Sequence, residues 1–327
     1  MTDIKAFSES VIGNLEKVIV GKRATVEMIV IGLLCEGHVL IEDVPGVGKT
    51  VMARSLARSL DCQFSRIQFT PDMLPSDVTG VSIYNQVKKK FEFRPGPIMG
   101  QIVLADEINR ATPKTQAALL EAMEERQVTV DGVTHKLARP FMVLATQNPI
   151  DYEGTFPLPE AQLDRFLLRV RLGYPSQADE IRVLEEQQLQ HPLETLKSVV
   201  NTSDILAAAD AIRQIHVAPS VKKYIVDLTR RTRESEEVYL GASPRGSLGL
   251  FRSAQARAGL LGREYVLPDD VQAVAVPVLG HRIIVSPAAR LRDLSADRIV
   301  EEIVRALPSP GSDFSAAPAP KVRKEAK

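Results

Sequence analysis

Eight consecutive residues constrain this chain more than any others: Asp43-Val44-Pro45-Gly46-Val47-Gly48-Lys49-Thr50. They lie between a continuous apolar run, His38–Glu42, and a helically spaced segment, Val51–Leu60, with Met52, Leu56 and Leu60 apolar. Strand, glycine-rich turn ending in Gly-Lys-Thr, and helix, in that order, make the pattern of a phosphate-binding loop. Gly46 and Gly48 let backbone N–H groups turn inward onto phosphate oxygens. Lys49 supplies a charge for the terminal phosphates, the Thr50 hydroxyl a ligand for Mg²⁺, and the helix start the positive end of its dipole. One position departs from the pattern, since Asp43 stands where glycine is expected. Aspartate tolerates left-handed backbone better than most residues, so the loop can still close, and its charge opposes phosphate only if the side chain points inward. The competing reading is a glycine-rich turn that binds nothing.

Around this loop the first half of the chain alternates apolar runs with helical patterns. Strands are expected at His38–Glu42, Gln63–Phe69, Gln101–Ala105, Phe141–Thr146 and Phe166–Leu172, and helices at Val51–Leu60 and Pro113–Arg126. Mostly continuous rather than alternating apolar strands, separated by helices, predict a parallel sheet covered on both faces, an α/β fold. Two inserts interrupt it, read as hairpins at Val81–Phe93, with Lys88–Lys90 near its tip, and at Gln127–Leu137, with an Asp131-Gly132 turn. After Pro175 the pattern becomes helical: Gln177–Gln190, Thr202–Ile215, Ser220–Glu234, Ser247–Leu260 and Asp269–Leu279. The expected organisation is an α/β domain at 1–174, a smaller helical domain at 175–307, and a Pro-, Ala- and Lys-rich disordered tail at 308–327.

Composition narrows the class further. Forty-one basic residues balance 41 acidic ones, and 44% of the 327 residues are hydrophobic, as in soluble globular proteins. Cys35 and Cys62 are isolated, so neither zinc site nor disulfide is expected, and the five histidines are scattered. The N-terminus lacks a basic start followed by an apolar run, and the apolar stretch from Val26 to Ile41 is broken by Glu27, Glu36 and His38. No membrane span and a cytoplasmic location are therefore the expectation.

Four further elements complete a candidate site. The run Gln101–Ala105 ends in Asp106-Glu107, two carboxylates at the strand end where α/β proteins hold ligands. Beyond a phosphate loop, Asp106 suits Mg²⁺ through water and Glu107 suits orienting the attacking water; without one, the pair caps a turn. Phe141–Thr146 leads into Gln147-Asn148-Pro149, where Asn148 either positions that water or merely begins an Asn-Pro turn. Arg165 precedes the last strand and has Asp164 as a possible partner. Arg245, in Ser243-Pro244-Arg245, reads as the second residue of a helix, where an anion is already favoured.

These strings together resemble the MoxR family of AAA+ ATPases over nearly all of the chain to Leu307: VIVGK (18–22), LIEDVPGVGKT (40–50), LADEINRATPKTQAALLEAMEE (104–125), ATQNP (145–149), LPEAQLDRF (158–166) and GASPRG (241–246). The resemblance implies an AAA+ P-loop core, a five-stranded parallel sheet with helices on both faces, followed by a helical lid. It implies ATP and Mg²⁺ as ligands, with Pro45, Gly46, Val47, Gly48, Lys49, Thr50 and Val51 as Walker A. Asp106 and Glu107 are then Walker B, with Thr50 and Asp106 on the metal; Asn148 is sensor 1, Arg165 the arginine finger and Arg245 sensor 2. Val20 and Gly21 match the segment whose backbone lies against adenine, and the two hairpins match inserts shared with magnesium chelatase. Asp43 is usual in such loops, whereas Gly246 replaces an expected alanine and predicts a less firmly held sensor 2. Ring hexamers, remodelling of partner proteins and von Willebrand factor A domain partners also come only from the resemblance.

Two other classes compete. A nucleic-acid motor on the same core draws support from Lys88–Lys90 and Arg230-Arg231-Thr232-Arg233, but zero net charge, no tryptophan and 5% aromatics leave it few stacking platforms. A nucleotide switch that barely hydrolyses is opposed by the intact Asp106, Glu107 and Asn148.

Overall fold

The computed structural model describes residues 3–148, 154–188 and 190–310; Pro149 of the ATQNP string and the tail beyond residue 310 lie outside them. In chain order the elements are α1 (Ile4–Glu16), α2 (Arg23–Leu34), β1 (Val39–Glu42), α3 (Lys49–Ser59), β2 (Phe64–Gln68) and α4 (Pro75–Thr79). The hairpin β3 (Gly80–Asn85) and β4 (Lys90–Pro95) follows, then β5 (Ile102–Asp106), α5 (Pro113–Glu125), and the second hairpin, β6 (Gln127–Val130) and β7 (Val133–Lys136). Next come β8 (Met142–Gln147), α6 (Glu160–Leu163) and β9 (Leu168–Val170). The helical half holds α7 (Gln177–Glu186), α8 (Pro192–Thr195), α9 (Thr202–Ile212), α10 (Pro219–Glu234), β10 (Val238–Leu240), α11 (Pro244–Leu260), α12 (Pro268–Leu279), β11 (Ile284–Val285), α13 (Pro287–Arg290) and α14 (Ala296–Ala306).

Five strands form one parallel sheet in the order β2-β5-β8-β1-β9. Alternate residues serve opposite faces. Val39, Ile41, Ile102, Leu104 and Leu144 pack with α1, α2, α3 and the helical half, while Leu40, Val103, Ala105, Val143 and Ala145 pack with α5, Phe141 and Phe166. Both faces being covered explains why β1, β5 and β8 read as nearly unbroken apolar runs. Because the chain leaves β1 toward β2 and leaves the adjacent β8 toward β9, in opposite directions across the sheet, a crevice opens beyond the carboxyl ends of these strands.

The sequence did not reveal α1 and α2. Helix α2 buries Val26, Ile29, Val30, Ile31, Gly32, Leu33 and Leu34, because it lies between the sheet and the helical half, and a helix apolar around most of its girth has no amphipathic stripe to read. Arg23 stays outside, pairing with Glu16 and Glu27.

The polar residues Glu36 and His38, which broke that apolar stretch in sequence, are both buried and both partnered. His38 Nδ1 accepts from the Val143 N–H and Nε2 donates to the Met123 carbonyl, each at 3.0 Å, while burial lowers the imidazole pKa to about 4. The ring is therefore neutral, pinning α5 to β8. Glu36 Oε1 accepts from Arg126 Nη1 (3.1 Å) and Arg139 Nε (2.9 Å), and Oε2 from Arg139 Nη2 (2.9 Å) and Arg213 Nη2 (2.7 Å). One carboxylate thus joins the end of α5, the approach to β8, and the helical half at α9.

Burial raises the Glu36 pKa, but the Arg139 and Arg126 guanidiniums more than reverse this, so the net shift is downward. Glu36→Gln strips the charge from a buried network and is expected to cost about 3 kcal/mol in urea unfolding at neutral pH. A depressed folded-state pKa gives stability that is complete above the unfolded value of about 4.3 and lost as pH falls through the folded one. The gap between wild type and variant should hold down to about pH 5 and close below it.

Candidate active site

β1 delivers the chain into the glycine loop, and α3 takes it out at Lys49. Gly46 (φ 86°) and Gly48 (φ 91°) are left-handed, with open space where a Cβ would stand, so glycine is required here by conformation rather than by crowding. Pro45 and Gly46 are exposed, and Val47 through Val51 are half-buried. The Lys49 ammonium donates to the carbonyls of Asp43 (2.7 Å) and Val44 (3.2 Å). Burial lowers its pKa, against the opposing pull of Asp106, Asp43 and Glu107.

Asp43 has a different reason from the one its sequence position suggested. It is not among the residues with positive φ, so left-handed tolerance plays no part. Its carboxylate is buried and turned toward the end of β9, accepting from the backbone N–H groups of Leu172 (2.7 Å), Gly173 (2.6 Å) and Val44 (2.9 Å). Three N–H donors hold the negative charge there, so a glycine would leave them buried and unpaired.

β5 and β8 run side by side with Ala105 opposite Ala145, which brings Asp106 beside Thr146. The Thr146 hydroxyl donates to Asp106 Oδ1 (2.6 Å) and accepts from the Glu107 N–H (2.8 Å). Asp106 Oδ2 accepts from Arg66 Nη2 (2.7 Å) and Nε (3.2 Å). Glu107 occupies the left-handed region at φ 58° and ψ 49°, sparsely populated for a residue with a side chain and maintained only by surroundings that over-determine it. Its carboxylate accepts from Gln68 Nε2 (2.9 Å) and pairs with Arg110 (3.2 Å). Asn148 is buried one residue beyond β8, its carbonyl accepting from Asn109 Nδ2 (3.4 Å).

A strap joins the loop to the Val20–Gly21 segment. Leu172 and Gly173 bind Asp43, the next carbonyl, Tyr174, accepts from Lys22 Nζ (2.7 Å), and Asp179 on α7 packs against Gly21, which is left-handed at φ 71°. Val20 is buried.

Arg165 and Arg245 both meet Glu124, not the loop. Arg165 Nε pairs with Glu124 Oε2 at 3.1 Å, and Arg245 Nη2 pairs with Glu124 Oε1. Glu124 lies on the last turn of α5, a 13-residue helix about 20 Å long, which begins after the Asp106–Glu107 strand end and runs back along the sheet. Its last turn lies at the opposite edge, where Met123 meets His38 and Arg126 meets Glu36, just ahead of β1. Gly246 is buried, with a Cβ there falling 3.1 Å from Leu279 and 3.2 Å from Ala242. Close packing explains this glycine, and Ser243 caps the helix start through the Arg245 N–H (3.1 Å).

Sequence reasoning missed Arg66, Gln68, Thr146 and Glu124. Arg66 and Gln68 left a trace, two polar residues at alternate positions flanking Ile67, the mark of one strand face turned to a polar site.

A parallel sheet in this order, a glycine loop at the end of β1, an acidic pair at the end of β5 and a helical half define an AAA+ ATPase with a helical lid. Residues 38–168 match the ATPase family associated with various cellular activities (AAA), and residues 230–303 match the AAA lid domain. YeaC of Bacillus subtilis is 53% identical over 94% of this chain and 96% of its own. Chaperone MoxR1 of Mycobacterium tuberculosis is 40% identical over 92% of this chain and 82% of its own. The crystal structure of a candidate ATPase from Cytophaga hutchinsonii superposes with a TM-score of 0.87 at 40% identity, covering 94% of this chain and 96% of that one. The chain belongs to the MoxR family of AAA+ ATPases. Among the described residues no helix is long and apolar enough to cross a membrane.

Two substitutions probe this geometry. Asp43→Gly, which restores the commoner loop residue, is expected to lower unfolding stability by about 2 kcal/mol in urea, not to raise it. Thr146→Val keeps the shape but removes the hydroxyl linking Asp106 to the Glu107 backbone, and should cut ATP turnover by about 10–100-fold in a steady-state phosphate-release assay.

Proposed function

We propose that this chain hydrolyses ATP to ADP and phosphate in a Mg²⁺-dependent reaction completed between subunits of a ring, a hexamer by family resemblance, and that the reaction drives remodelling or maturation of a partner protein. The observation that carries this reading is the division of the machinery between two edges of one sheet. Lys49 and the Asp106–Glu107 pair share the carboxyl edge, whereas Arg165 and Arg245 share Glu124 a helix length away. Arginines at the far edge are badly placed for the loop of their own chain and well placed to meet the loop of a neighbour.

In this reading the N–H groups of Gly46, Val47 and Gly48 and the Lys49 ammonium bind the phosphates, Pro45 and Val51 flank them, and Val20 and Gly21 lie against the base. The donor set fits the metal: Thr50 offers a hydroxyl, and Asp106 is a carboxylate already oriented by Thr146 and Arg66. When bound there, Mg²⁺ neutralises phosphate charge. Glu107 orients a water and draws its proton, Asn148 fixes that water or the γ-phosphate, and the neighbour's arginines meet the charge that builds on the transferred group. An arginine supplied in this way is worth about 10³–10⁵ in rate.

The domain limits we propose are 1–174 for the ATPase core, 175–307 for the lid and 308–327 for a solvated tail, with a cytoplasmic location. A protein client is favoured by the name of the Mycobacterium tuberculosis relative, a chaperone, and a von Willebrand factor A domain partner by family resemblance alone. A nucleic-acid motor is the second reading, resting on Lys88–Lys90; Lys88 pairs with Glu92 at 2.8 Å, which reduces the charge free for phosphate.

Two variants separate binding from chemistry. Glu107→Gln is expected to bind a fluorescent ATP analogue as wild type does while losing at least about 100-fold in turnover; Lys49→Ala should lose both. Wild-type turnover in Glu107→Gln would remove Glu107 from the reaction.

A further inference from the structure

We propose that Glu124 is a positioning residue for the reaction between subunits, its one carboxylate setting Arg165 and Arg245 for a neighbour's nucleotide. This rests on the reading above that both arginines serve the adjoining site.

The carboxylate is shared, one oxygen to each guanidinium: Oε2 to Arg165 Nε and Oε1 to Arg245 Nη2. A guanidinium has five N–H donors, so each arginine keeps most of its donors for another anion. Without Glu124, two like charges at this spacing repel and their long side chains separate. With it, they are held together, and the trio carries one net positive charge at a surface where their side chains are 30% (Arg165), 50% (Arg245) and 35% (Glu124) exposed.

The backbones of the two arginines are fixed independently. Asp164, the residue before Arg165, accepts from the hydroxyl of Ser243, the cap of the helix that carries Arg245, at 2.8 Å. Its other oxygen accepts from Arg282 Nε at 2.8 Å, and that guanidinium is almost wholly buried between the sheet and the lid. Asp164 and Arg282 therefore set where the two side chains start, and Glu124 sets where they end. A half-exposed ion pair contributes little to folding, so the shared carboxylate has its effect on orientation, where displacement by about 1 Å can cost roughly 100-fold in rate.

Mixed assemblies test this directly. Arg165→Ala protein keeps an intact loop and Glu107→Gln protein keeps an intact arginine face, so each alone is slow while their mixture recovers ATP turnover at shared sites. Replacing the arginine donor by Glu107→Gln/Glu124→Gln is expected to cut the recovered kcat by about 10-fold or more, leaving KM for ATP within about twofold. Glu124→Asp in the donor should restore part of the loss. Placing Glu124→Gln on the Arg165→Ala partner instead should change nothing, because that subunit's arginine face is not used; an equal loss there would mark a structural role and overturn the proposal. Recovery indifferent to Glu124 in the donor overturns this proposal alone. No recovery in the parent mixture overturns the reading between subunits and this one with it.

Discussion

The hydrogen bond from the Thr146 hydroxyl to Asp106 joins two neighbouring strands at the point where the chemistry of this protein gathers. The same oxygen receives the Glu107 N–H, so one side chain fixes the orientation of one carboxylate and the strained backbone of the next. That arrangement exists only because β5 and β8 are parallel, adjacent and in a register that ends them together. Burial of both strands on both faces excludes a slip, since a shift of one residue would exchange the two faces of the sheet. The core of the sheet and the geometry of the acidic pair are one constraint viewed at two scales.

A second constraint follows from helix length. In a right-handed crossover a helix returns the chain from the carboxyl edge of a parallel sheet to its amino edge. α5 carries Glu124 across that distance, and Glu124 collects Arg165 and Arg245 there. Its next turn reaches Glu36, whose arginines extend to α9 in the helical half. The edge that presents the two arginines is therefore also tied to the helical half, to α9 through Glu36 and to the lid through Asp164. On the proposed reading, lid position and the arginines offered to a neighbour cannot vary independently.

The parts legible in the sequence were those decided by local pattern. The central strands of the sheet showed as apolar runs and its edge strands as mixed ones, both hairpins as strand pairs, and the loop as glycines ahead of a lysine. Helix α2 was hidden because burial on most sides erases the helical stripe, whereas α1 carries a stripe of Phe7, Val11, Ile12 and Leu15 that the sequence reading passed over. Asp43 was legible as a departure, but its cause lies in Leu172 and Gly173, roughly 130 positions downstream, and no local rule reaches that far. Gly246 has the same kind of explanation, since Leu279 and Ala242 set the space around it. Glu124 gave no signal at all. A glutamate in a helix rich in Glu is ordinary until the fold brings two arginines from different parts of the chain onto it.

The central claim is that a complete active site requires two chains. ATP turnover per protomer, with Mg²⁺ present, measured over a hundredfold range of protein concentration, tests it most directly. The account predicts turnover that climbs with concentration to a plateau in the wild type and stays low throughout for Arg165→Ala. Substantial turnover that is independent of concentration in a protein shown to be monomeric by light scattering would contradict it.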